Sequence, residues 1–227
     1  MQTSWWGILG LIGWAYLGAS IIFLLFRYNL LALIGMLAIF FLMYIGDKEG
    51  QLDFIPFIRE HLWLGGHFAG HVAISLAGVV TSVIMIDTTF ANSVKDKIKW
   101  ILAFAFFLYL CGYLIRPFYG ISKDYATPAW GLYSSAMSAV LFVLLYWIVD
   151  IKGYKKWAGF LKPAGSNPLL AYILPSIFYS LLFLSGITFL SDYFGEGYLG
   201  IVRSIIFSFL MLAVTAGLTK LKVKLQL

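Results

Sequence analysis

The sequence predicts an all-α, polytopic integral membrane helix bundle of about seven transmembrane helices. Composition is the first reason. Of 227 residues, 62% are hydrophobic and only 11% charged, against roughly 25% charged residues in soluble domains. The second is run length. Apolar stretches recur at close to 20 residues, the length a helix needs to cross the hydrocarbon core, and continuous runs of this kind are helical rather than barrel-forming. The third is the placement of tryptophan. Trp5, Trp6, Trp100, Trp130 and Trp147 fall near the ends of these runs, where amphipathic rings settle at the membrane–water interface.

The chain reads as one membrane domain, 1–227, with spans at about 5–26, 28–46, 68–86, 99–116, 129–150, 168–190 and 198–219. The first run is too long for a cleaved leader and lacks its basic start, so it is expected to be retained as a span. Only Arg27 and Tyr28 link the first two runs, which makes them a tight helical hairpin. Pro117 is expected to stop the fourth helix shortly after Arg116, and Pro128 to open the fifth. Asn167 stands as an N-cap ahead of Pro168, and Pro175 is expected to kink the span that follows.

The net charge is +6. The basic residues lie between apolar runs, so they report topology rather than a nucleic-acid partner. With Met1 outside, eleven lysines and arginines fall on the inner side and five on the outer. The positive-inside rule therefore gives N-terminus out and C-terminus in. Loops 47–67 and 117–128 then face outward. The first mixes charge with Phe54, Ile55, Phe57 and Ile58 and is expected to form a short interfacial helix or a partly re-entrant piece. The inner loop 151–166 sets Trp157, Phe160 and Leu161 among Lys152, Lys155, Lys156 and Lys162. That pattern suits anchoring at anionic headgroups, or binding of a polyanionic cofactor. Cys111 is the only cysteine, so an intrachain disulfide is excluded.

Two constellations carry candidate chemistry. In HLWLGGHFAGHVAISLAGVVTS, a helix beginning near Gly66 would put His67, His71, Ser75, Gly78 and Ser82 on one face. A polar and small stripe on a membrane helix is expected to face the bundle. His67 and His71 are i and i+4, a spacing compatible with two metal ligands, but a third ligand would have to come from His61 or Glu60, and no metal is expected. Either histidine suits a general base near neutrality. The plainer alternatives are a hydrogen-bonded interfacial histidine and serines bonded to their own helix. The second constellation is Arg116 to Trp130, RPFYGISKDYATPAW. Arg116 and Lys123 flank a short outer loop and could hold a carboxylate, a phosphate or a sugar acid, or Arg116 could simply snorkel to the interface. The final span has no lysine in its middle, which excludes a retinal Schiff base.

The run GISKDYATPAW, followed by YWIVDIKGYKKWAGFLKPAGSNPLLAYIL, resembles the C-terminal membrane region of heparan-alpha-glucosaminide N-acetyltransferase and its bacterial relatives. The matching features are Ser122–Lys123, the exit Val149, Asp150, Lys152 and Gly153, and the helix start at Gly165 and Asn167. GHFAGHVAISLAGVVTS is similar to that family's glycine- and alanine-rich span. The resemblance covers about residues 5–220 and is most specific at 116–173.

That resemblance implies a membrane acyltransferase in the bacterial cytoplasmic membrane, with acetyl-CoA as co-substrate and a sugar or glycan acceptor across the bilayer. On that reading Arg116, Ser122, Lys123 and Asn167 would contact the acceptor and Lys155 and Lys156 would lie at a CoA-binding inner mouth; the resemblance assigns no histidine here, and His71 or His67 would be the catalytic base only if this short form is self-sufficient. The family's catalytic histidine lies in N-terminal spans for which this sequence offers no matching position. The resemblance therefore implies a C-terminal part, one half of a split enzyme with an N-terminal membrane subunit, or a relative without the reaction. The lipid bilayer and a second copy of the chain are the other partners considered. A non-catalytic transport or scaffold subunit is the alternative reading.

Overall fold

The computed structural model describes residues 7–54, 64–87, 90–186, 197–223 and 225, with the side chain of residue 67 excepted. Among them there is no strand. Among the described residues, six helices are long and apolar enough to cross a bilayer, or seven if a bent pair counts as one span. The protein is an all-α, polytopic integral membrane helix bundle.

The chain divides into two compact units, Met1–Trp147 and Ile148–Leu227. The first contains α1 (Ile8–Phe26), α2 (Leu30–Lys48), α3 (Gly70–Ile86), α4 (Val94–Tyr119) and α5 (Pro128–Tyr146). α3 is its hub and packs on all four others. Val72, Ala73, Leu76 and Val80 are fully buried on its inner side. Water does not drive such packing inside a bilayer. Close van der Waals fit does, and small residues allow it. Gly18 of α1 is the clearest case: a Cβ there would stand 2.7 Å from Val72 Cγ2.

The α1–α2 hairpin forms as expected. Arg27, at φ 47°, turns the chain, and Asn29 Oδ1 accepts from the Ala32 N–H at 3.1 Å to cap α2. α3 begins differently from the expectation. Leu64–Ala69 form a π-helical turn before the α-helix starts at Gly70. Residue 67 lies within that turn and His71 in the first turn of the α-helix.

α4 also departs from the expected boundary. It continues through Pro117 to Tyr119. Proline's missing N–H and its ring disturb the turn before it and place no bar on the residues after it. The stop falls at Gly120, which takes φ 63° and donates its N–H to the Arg116 carbonyl at 2.9 Å. Ser93 caps the other end, accepting from the Asp96 N–H at 3.1 Å. α5 opens with Pro128 in its first turn and ends in a π-helical turn, Trp147–Ile151.

The second unit contains a 3₁₀ turn (Lys156–Leu161), α6 (Lys162–Ser166), α7 (Pro168–Leu184) and α8 (Gly197–Lys220). Trp157, Phe160 and Leu161 are exposed beside the lysines, the amphipathic surface that the inner loop suggested. α7 runs on through Pro175. The sharp bend, 75°, falls at Asn167, between the Lys156–Ser166 segment and α7. Of the loop 47–67 expected to be interfacial, residues 55–63, among them Glu60 and His61, lie outside the described residues.

Candidate functional site

Within the first unit, α1 and α3, with Trp130 of α5, border an open cavity of about 740 Å³. Its walls are mostly apolar. The polar groups are His71 and Ser75 from α3, Ser20 and Tyr16 from α1, and Trp130 from α5. His71 sits in the first turn of α3, and its ring lies 6.3 Å from that of Trp130. A histidine side chain is a common general acid or base. Clefts of this size and apolar character are the usual seats of small organic ligands.

The stripe of small and polar residues along α3 does not face the packed core. That side belongs to Val72, Leu76, Val80 and Val83. His71 and Ser75 line the cavity, while Gly78 and Ser82 border a second groove of about 310 Å³ with Thr81, Ser135 and Ser138. Thr81 and Ser82 donate to the carbonyls of Ala77 and Gly78, each at 2.9 Å. Such back-bonding satisfies a hydroxyl on its own helix. It explains how these residues sit away from the core without an interhelical partner.

The loop from Gly120 to Thr127 is held by one side chain. Thr127 Oγ1 accepts from the Ser122 N–H at 3.0 Å, and its proton lies between the Gly120 and Ser122 carbonyls at 3.2 and 3.3 Å. The Thr127 N–H returns to the Ser122 carbonyl at 3.1 Å. Ser122 Oγ accepts weakly from the Tyr125 N–H at 3.4 Å. Ser122 is thus a member of the loop's own framework. The loop turns inward at Ala126, which is buried at φ 47°, and seats its carbonyl against α3. A Cβ at Gly70 would lie 2.9 Å from that oxygen, so the approach requires glycine.

Arg116 and Lys123 are exposed and do not line the cavity of His71. Arg116, in the last turn of α4, is placed favourably against the negative end of the helix dipole. Around them, Lys48 Nζ stands 5.7 Å from the centre of the Tyr125 ring, and Tyr119 donates to Glu49 Oε1 at 3.0 Å. These contacts tie the ends of α2 and α4 to the loop. Cation–π and tyrosine–carboxylate pairings of this kind depend on tertiary placement and left no signal in the sequence.

The remaining candidates lie in the second unit. Lys155 and Lys156 are exposed and border an open depression of about 730 Å³ with Gly153, Tyr154 and Trp157. Asn167 is only 1% exposed. It occupies the N-cap position of α7, but its side chain makes no capping bond. Instead Nδ2 donates to Thr219 Oγ1 at 3.3 Å and to the Val223 carbonyl at 2.9 Å, and Oδ1 accepts from the Leu225 N–H at 3.2 Å. The side-chain amide imitates a peptide unit and clamps the chain beyond α8. Both of its donor hydrogens are used.

Fold and site together define a polytopic membrane bundle with an apolar, histidine-bearing cavity. No family model, curated protein or solved structure matches the chain.

Proposed function

We propose that the chain is an acyltransferase-type membrane protein of the bacterial cytoplasmic membrane, in which the α1–α3–α5 cavity seats the reacting groups and His71 is the base. The observation that carries this reading is the position of His71: on the wall of an apolar cavity of about 740 Å³, beside Ser75 and against Trp130.

In the proposed reaction, the imidazole takes the proton from an acceptor hydroxyl or amine as that group attacks the thioester carbonyl of acetyl-CoA. The tetrahedral intermediate collapses, the C–S bond breaks, and the proton returns to the leaving thiolate. Low polarity around the base strengthens each hydrogen bond made to the developing oxyanion. Within the second unit, the depression at Lys155 and Lys156 offers cations for phosphate, and Tyr154 and Trp157 for a planar base, the chemistry of a polyanionic nucleotide-like ligand. The excess of lysine and arginine in alternate loops supports an orientation with the N-terminus outside.

Incubation of the purified chain in proteoliposomes with radiolabelled acetyl-CoA and a panel of amino sugars and glycans tests the reading. Labelled product should form with the wild type and fall at least about 100-fold with His71→Ala, the usual scale for a lost general base. Unchanged labelling in that variant would remove His71 from the mechanism.

A non-catalytic bundle is the competing reading. It draws on the helix-bonded Thr81 and Ser82 and on the clamp at Asn167, each of which serves architecture. Failure of the folded wild type to release CoA from acetyl-CoA with any acceptor would favour it.

A further inference from the structure

A separate cavity of about 720 Å³ opens where the α1–α2 hairpin meets the end of α3 and the start of α4. Its composition is graded. Ile34, Ile84, Phe104 and Phe107 line it from within the helices. Tyr28, Asn29, Asp87, Phe90 and Trp100 line it at or near the helix ends. This is the profile of a site for an amphiphile: a slot for a hydrocarbon chain and a polar rim at the depth of the membrane interface, where tryptophan and tyrosine settle.

The rim also selects a charge. Asp87 closes α3, and its N–H goes to the Val83 carbonyl at 2.8 Å. Its carboxylate therefore adds to the negative end of the α3 dipole. Phe90 and Trp100 stand 4.9 Å apart, tilted at 50°, and both rings are about 40% exposed. Tyr28 supplies a third ring, braced edge-on against Phe23 at 5.9 Å. Aromatic faces around a carboxylate attract an ammonium group. Positive charge stands close by in sequence: Arg27 precedes Tyr28, and Lys97 lies one turn before Trp100 on α4. A simple amine gains nothing from these two. A head that carries a phosphate as well as an ammonium does.

We infer that this cavity binds a bilayer phospholipid with a primary ammonium in its head, the chemistry of phosphatidylethanolamine. The ammonium faces Asp87 and the rings, the phosphate faces the basic residues, and one acyl chain enters the slot between α2 and α4. The inference is independent of the reaction proposed for His71.

The test is native mass spectrometry of the full, delipidated chain, offered equal amounts of phosphatidylethanolamine and phosphatidylglycerol with identical acyl chains. The wild type should retain the ammonium lipid with a preference of about tenfold, the ratio expected for a partly desolvated cation–π and carboxylate contact. Asp87→Asn should bring the preference close to unity, and Trp100→Leu should reduce it. Should Asp87→Asn fail to fold, Trp100→Leu decides the question alone. Equal retention of both lipids by the wild type, or a preference untouched in whichever variants fold, would overturn the assignment.

Discussion

Gly18→Ala is the most informative single change, because its effect can be worked from one contact. The new methyl would stand 2.7 Å from Val72 Cγ2 and 3.3 Å from Cγ1. Val72 is fully buried and β-branched, so its side chain is stiff at χ1 and cannot swing aside. α1 would have to move off α3, and overpacking of this kind costs about 1–3 kcal/mol. Alanine also favours a helix over glycine by about 1 kcal/mol, which partly offsets the clash. Gly78→Ala separates the two effects. It has the same chemistry in the interior of α3, and its methyl would meet nothing within 4 Å. The difference between the variants therefore isolates the α1–α3 contact. At roughly 2–4 °C per kcal/mol for a chain of this length, Gly18→Ala should melt about 2–12 °C below Gly78→Ala in the same detergent. Adding Val72→Ala to Gly18→Ala should show a favourable coupling of about 1 kcal/mol or more. Equal melting of the two glycine variants, with no coupling to Val72, would refute the packing that forms the cavity wall.

Other changes have equally definite outcomes. Asn167→Ala removes one bond to the last turn of α8 and two to the chain beyond it and should speed tryptic cleavage at Lys220 and Lys222; Asn167→Asp, which cannot donate, should behave similarly. An unchanged cleavage rate would show that the clamp does not hold the tail. Thr127→Val leaves the Ser122 N–H without its acceptor and should destabilise the chain by about 1–3 kcal/mol in thermal unfolding, with Thr127→Ser largely restoring it. Gly70→Ala pushes against the Ala126 carbonyl and should lower the melting temperature as well, whereas Gly13→Ala, which meets open space, should not.

Much of the fold was legible because the bilayer imposes a single rule: every backbone group must be paired within its own segment. Run length alone therefore located the spans, and Pro128 marked a helix start, whereas the caps Asn29 and Ser93 emerged only in the structure. The boundaries that shifted did so for local reasons. Pro117 was read as a stop, but a proline in a last turn leaves the following residues free to stay helical, and Gly120 makes the exit. The π turn before α3 depends on how GGHFAG meets Asp47 and the 120–127 loop, where a Cβ at Gly65 would stand 2.7 Å from Asp47 Cβ. No periodicity reports such a contact.

The candidate site was legible in part. His71 and Ser75 stood out by spacing and do share a cavity, but Trp130, read only as an interfacial anchor, supplies another wall. The stripe was expected to face the core because hydroxyls are costly in lipid. Ser82 bonds back to its own helix, which removes that cost for it, and the core went to the apolar positions one residue further round. Asn167 does stand directly before α7, but its side chain makes other bonds than the capping one expected. A buried amide at a bend pairs with whichever backbone the tertiary fold brings to it, and that was the tail 52 to 58 residues further on.

The most direct test of the central claim is single-turnover transfer from radiolabelled acetyl-CoA by the purified chain in proteoliposomes, comparing wild type with His71→Ala and with Trp130→Ala. The account predicts label in an extractable product with the wild type, near-complete loss with His71→Ala, and a weaker loss with Trp130→Ala, which leaves the base but opens the wall behind it. Transfer that survives His71→Ala, or a folded wild type that leaves acetyl-CoA intact with every acceptor offered, would contradict it.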